Sequence, residues 1–195
     1  MSYGIKVITP STVLPVTLAD TKLHLKIDSD TTEDTLVTAL IYTAQEMVEN
    51  YCRIRLLDTV EELYIDQFPF EYSLYLSKWP ISAISYCHYL DINGVETTLD
   101  PTVYYADTIS KPGRLCLNYA RYWPVTRWID NAVWIRYTVG FGATADSIPY
   151  SLKTALLLII GHLYQNRTEV VTNTHIENLP MGAKWIMDQN RYLRK

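Results

Sequence analysis

The chain lacks a hydrophobic run long enough for a bilayer. A spanning helix needs about 20 apolar residues. In the most apolar stretch, Ser151–Arg167 (SLKTALLLIIGHLYQNR), Lys153 and Gln165 bracket residues 154–164, and His162 interrupts them. That length fits a buried core helix. The N-terminus MSYGIKVITP carries no signal-peptide apolar core. Cys52, Cys87 and Cys116 are odd in number and widely spaced, with no CxxC pair. Free thiols in a reducing compartment are therefore expected. Asn166-Arg167-Thr168 matches a glycosylation sequon, which without a secretion signal is read as chance.

Metal and phosphate motifs are missing too. His24, His88, His162 and His175 form no HxxxH or HExxH, and none stands at metal spacing from a cysteine. Asp28, Asp30, Glu33 and Asp34 lack the glycine and terminal glutamate of a calcium loop and read as helix-start acids. GFGATADS has GxG but neither GxGxxG nor Gly-Lys-Ser/Thr. Its Gly140 and Gly142 predict a strand-to-helix turn. His162 has no nucleophile motif beside it and is read as a packed or interfacial histidine. A formal net charge of -4 gives no electrostatic case for general nucleic-acid binding. No enzyme activity, cofactor or metal is expected.

What is present is a globular composition, 48% hydrophobic and 19% charged, over 195 residues. Such a length suits one domain. Aromatics stand out, with 16 Tyr and 5 Trp against 3 Phe. Tyrosine concentrates at interfaces and also in β-rich cores.

The hydrophobic period divides the chain. Thr17 three residues before Asp20 resembles a capping box and predicts a short helix over Leu18–Lys26. Leu36, Val37, Leu40, Ile41, Ala44, Met47, Val48 and Tyr51 make one stripe of a helix over Glu33–Tyr51. From Leu56 to Val139 the period becomes two. Asn93-Gly94 signals a hairpin, and Pro112-Gly113 a second turn. Asp146, Ser147 and Pro149 then open the apolar helix. Because Ala155–Ile160 is apolar all round, protein should surround that helix, from its own domain or a neighbouring subunit. TEVVTNTHIEN reads as a loop, and LPMGAKWIMDQNRYLRK as a terminal helix with cations at its end.

Segregated helices and strands give an α+β fold. Helices over about 15–55 and 147–195 pack as a small bundle, and an antiparallel β-rich insert fills about 56–142, in a single domain over 1–195.

Two surfaces are candidates for binding. Trp123, Trp128 and Trp134 could stack a ligand, which gives the alternative function: a non-enzymatic carbohydrate- or cell-surface-binding module. The C-terminal residues Trp185, Arg191, Tyr192, Arg194 and Lys195 are of the types enriched at binding hot spots.

The order of segments is more specific than any one motif. VTLADTKLHLKIDSDTTEDTLVTALIYTAQEMVENYCR, YLDINGVETTLDPTVYYAD, KPGRL, WPVTRWIDNAVWIRYTVGFG, IPYSLKTALLLIIGHLYQNR and LPMGAKWI follow one another across essentially the whole chain. In this order the chain resembles the head–tail connector (adaptor, head-completion) proteins of long-tailed bacteriophages. The resemblance implies a non-enzymatic virion protein, assembled in the host bacterial cytoplasm into a dodecameric ring. That ring docks on the portal protein, extends a channel for double-stranded DNA without sequence-specific binding, and offers a platform to the next connector or tail-completion protein. It implies no membrane partner, and a C-terminal segment that contacts the portal. Relatives often end the second helix with a glycine near Cys52–Arg53, and this chain has none.

Overall fold

The structure is a computed structural model that describes residues 3–27, 31–167 and 180–191. The chain folds as two compact units: Met1–Ser11 with Asp58–Phe141, and Thr12–Leu57 with Gly142–Lys195. The architecture is α+β: the described residues form antiparallel sheets of five and three strands and four α-helices.

In the first unit, β1 (Tyr3–Thr9), β2 (Thr59–Ile65), β8 (Val133–Val139), β4 (Ile81–Leu90) and β5 (Glu96–Thr98) form the larger sheet in that order. β3 (Ser73–Tyr75), β7 (Arg114–Leu117) and β6 (Tyr104–Asp107) form the smaller one. Strand alternation sends Leu63, Ile135 and Cys87 to one face, where they meet Leu74 and Leu115 from the small sheet in one buried cluster. The edge strand β1 comes from the N-terminus, where only the short run before Pro10 hints at it in the sequence. It pairs with β2 from Tyr3↔Ile65 to Thr9↔Val60.

Both turn signals are realised. The β4–β5 hairpin turns at Gly94, φ 82°, while Asp91 Oδ1 accepts the N–H groups of Asn93 and Val95 at 2.8 and 2.9 Å. Gly113 precedes β7 because a Cβ there would stand 2.5 Å from Ile81 Cγ1. The core also holds a carboxylate: Glu61 is fully buried, accepts from the Tyr137 hydroxyl at 3.1 Å and lies 3.6 Å from Lys78 Nζ. A buried charge is tolerable only when paired in this way.

In the second unit, α3 (Tyr150–Gln165) packs against α1 (Leu18–Leu25), α2 (Asp34–Cys52) and α4 (Met181–Asn190). Helices of the same unit therefore cover most, but not all, of the apolar helix. It buries Leu152, Ala155, Leu156, Ile159 and Ile160, while Leu157 and Leu158 stay half-buried. No helix among the described residues is long and apolar enough to cross a membrane.

The helix ends differ in part from expectation. α1 is capped as expected, with Thr17 Oγ1 accepting the Asp20 N–H at 3.0 Å. The predicted start at Asp146 and Ser147 is instead a 3-10 turn, Ala145–Ser147, and Pro149 caps α3 without a side-chain bond. Glu33 flanks α2 without capping it. Its carboxylate accepts from Tyr164 and pairs with Arg167 at 2.8 Å, tying the start of α2 to the end of α3. Asp34 pairs with Lys22. Asp28 and Asp30, and the segment TEVVTNTHIEN, lie outside the described residues.

Candidate interaction surfaces

The C-terminal candidate rests on α4. Ala183 and Met187 anchor this helix, and Trp185 projects from it with 67% of its surface exposed. Beyond Asn190 the chain turns extended at Arg191, whose guanidinium lies 4.7 Å over the Tyr51 ring. The Tyr51 hydroxyl donates to Asp188 Oδ1 at 2.5 Å. That bond raises the Tyr51 pKa, with burial and the Asp188 charge adding to it. Arg191 thus belongs to a small cluster on the helical unit. Tyr192, Arg194 and Lys195 lie outside the described residues.

The three tryptophans go to different surroundings. Trp123 stacks on Phe68 at 5.0 Å with an interplanar angle of 5°, and its Nε1–H donates to the Glu71 carbonyl at 2.9 Å. It is therefore a packing residue. Trp134 sits on the outer face of the large sheet, 5.8 Å from the His88 ring. Trp128 is 96% exposed. No shared stacking platform emerges.

That outer face carries a polar network that sequence reading missed. Glu62 accepts from Tyr64 at 2.6 Å, from Tyr86 at 2.9 Å, and from Arg136 Nε and Nη2 at 2.9 and 2.6 Å. Burial raises the Glu62 pKa, and these donors outweigh it, leaving the carboxyl below its usual value. Its bond with Glu62 pushes Tyr64 up to about 12. The register Glu62↔Arg136↔Tyr86 across three strands assembles the group, which explains why chain separation hid it.

His88 lies alongside, 2.8 Å from Glu96 Oε1 and 3.2 Å from Thr98 Oγ1. This trio spans the β4–β5 hairpin, where His88 and Thr98 are direct cross-strand partners. It clamps the hairpin. His162 is half-buried in α3, with Nδ1 3.3 Å from Asn166 Nδ2. His175 lies outside the described residues. Among the described residues no His, Cys, Asp or Glu group could hold a metal ion. The three cysteines are buried and unpaired, and burial pushes Cys52 and Cys87 up to about 11 and 12.

Among the described residues the most exposed aromatics are elsewhere, on the loops at one end of the β unit. Phe70, Tyr119, Tyr122 and Trp128 project there almost free of contact. They lie in two short aromatic-rich stretches, FPFEY and NYARYWPVTRW, whose irregular spacing gives no helix or strand period.

The head completion protein family model matches residues 16–178. Among solved structures, the fold is similar to a chain in the neck of an empty gene transfer agent (GTA) particle with C6 symmetry. There the TM-score is 0.83 at 18% identity, covering 98% of this chain and 97% of that one. A chain of the native GTA virion gives 0.80 at 18% identity, covering 98% and 96%. A chain in the native GTA neck with C12 symmetry gives 0.74 at 20% identity, covering 100% and 97%. At these identities the likeness is one of fold. A search of the curated proteins finds no match.

Proposed function

Because the chain belongs to the head completion protein family, we propose that it is a structural virion protein at the junction of head and tail. It forms one subunit of a dodecameric ring that docks on the portal protein and extends the DNA channel. The far side of the ring receives the next connector or tail-completion protein. It does this without catalysis, metal or cofactor, in a virion assembled in the host bacterial cytoplasm.

The family match over residues 16–178 carries this reading. The fold shared with chains of GTA necks supports it. So does the net charge of -4. Each phosphate contact adds affinity through counterion release, so a wall past which duplex DNA slides works best with few of them. Residues 1–195 act as one connector domain: the chain crosses between the units at Ser11–Thr12, Leu57–Asp58 and Phe141–Gly142, so neither unit is a continuous piece. The C-terminal residues Trp185, Arg191, Tyr192, Arg194 and Lys195 are the candidate contact to the portal or to a neighbouring subunit, and the portal is the partner we propose.

Electron microscopy of particles made without this protein tests the reading. DNA-filled heads that fail to join tails are expected, and the purified chain mixed with portal should add a ring to it. Normal tail joining in its absence would overturn the proposal.

A further inference from the structure

At one end of the large sheet, β2 and β4 end and β8 begins, since Ile65, Val133 and Tyr89 are register partners. The loops that leave this end are held firmly. Trp123, in the long connection between β7 and β8, stacks on Phe68 and donates to the Glu71 carbonyl. The Asn131 N–H donates to Asp66 Oδ1 at 3.1 Å, and the Arg127 N–H to the Leu90 carbonyl at 3.0 Å. The Arg127 guanidinium lies against Gly94 of the hairpin, where a Cβ would stand 2.2 Å from Nη1.

On this anchored frame the outward side chains are Phe70, Tyr119, Tyr122, Val125 and Trp128, with exposures from 76% to 101%. Irregular loops of this length inside compact domains are commonly functional. Monomeric proteins rarely leave apolar patches of such extent uncovered. Aromatic and arginine side chains on a rigid frame are the composition of interface hot spots.

We infer that this loop end is where one copy of the chain meets the next, the partner being a second copy of this chain. Two quantities favour that occupant. Aromatic side chains bury about 150–250 Å² each, so the four here supply about 600–1,000 Å². A standard interface takes about 800 Å² per partner. The patch is mostly apolar, as homomeric interfaces are, where transient surfaces are no more apolar than the rest of a protein. The contact is heterologous, this end meeting a different surface of the neighbour, which lets the rotation close. The inference deepens the proposed function and rests on it for the ring.

Photo-crosslinking tests it. A benzophenone amino acid replaces Trp128, or Trp185 as a comparison, in the full chain, which is irradiated free in solution and in assembled particles. Adducts of two copies of the chain from position 128, in either setting, are expected. Tyr122→Ser should lower their yield roughly tenfold or more, as for a hot-spot residue, with an unchanged melting temperature. If position 128 yields adducts only with a different protein or with glycan, or no adduct in either setting, the inference fails while the chain's place in the particle stands. A chain absent from particles whose free form still self-crosslinks at 128 would instead sink the proposed function and spare the surface.

Discussion

The carbonyl oxygen of Glu49 accepts the backbone N–H of Arg53, and Arg53 itself stands in the left-handed region at φ 58°, ψ 44°. The Ile54 N–H reaches the same carbonyl at 3.1 Å. Arg53 thus ends α2 in the conformation that glycine adopts without strain. A left-handed non-glycine residue costs about 1–2 kcal/mol, and glycine returns part of that to unfolded-chain entropy. Arg53→Gly should therefore stabilise by about 0.5–1 kcal/mol, read as a higher urea midpoint. A lower midpoint would mean that the arginine side chain itself supports the fold.

The Glu49 carboxylate, which is buried, organises the turn after α2. It accepts the Leu56 N–H at 3.0 Å and Gln45 Nε2 at 3.0 Å, and it pairs with Arg55 at 2.5 Å. Glu49→Ala removes all three acceptor contacts and should cost about 3 kcal/mol. Glu49→Gln, which keeps an acceptor for Leu56, should cost clearly less. Equal losses in the two variants would assign the stability to packing instead.

Leu156 is fully buried in α3, whereas Leu40 of α2 is half-buried and its neighbour Ile41 carries the core contact. Leu156→Ala should cost about 2–5 kcal/mol, with Leu40→Ala well below it and Ile41→Ala comparable to Leu156→Ala. Denaturant curves that reverse this order would misplace the α2 stripe.

Glu62 gives the β unit a pH dependence. Its folded pKa is lowered by Tyr64, Tyr86 and Arg136 against the opposing effect of burial. The stability it contributes is present above the unfolded value of about 4.3 and is lost as pH falls through the folded pKa. Glu62→Gln should flatten the acid limb of stability against pH. Tyr64, raised to about 12, contributes stability that is present below about 10 and lost as pH climbs through the folded value. An acid limb identical in wild type and Glu62→Gln would assign acid sensitivity to other carboxylates.

Deleting Arg191–Lys195 should shift the melting temperature little. Among the described residues it removes the Arg191–Tyr51 contact, worth about 0.5–1 kcal/mol at an exposed site. Capture by portal-bearing heads should weaken. Undiminished capture in a pull-down would take this segment out of the portal interface, and a large fall in melting temperature would make it part of the fold.

The legible parts of the fold are those governed by neighbours in sequence. The Thr17–Asp20 cap, the Val37–Ile41–Ala44–Val48 face of α2, the Asn93–Gly94 turn and the alternation of β8 each rest on contacts within a few residues, and each is written in the chain. Of the candidate surface, composition showed Trp185 and Arg191 as recognition types, and α4 then set the one outward and the other over Tyr51.

Tertiary structure decided the rest, because its partners are far apart along the chain. Tyr3–Thr9 becomes a strand only because β2 offers it an edge some fifty residues later. Glu33 gives up capping for Tyr164 and Arg167, which only the packing of α2 on α3 brings near. Glu62 meets Arg136 and Tyr86 across three strands. Trp123 and Trp128, five residues apart and chemically identical, part company: Phe68 and Glu71 stand ready to cover the first, and the second projects from the loop end. A side chain's type states how favourable burial is, but only the positions of distant segments decide whether anything is there to bury it.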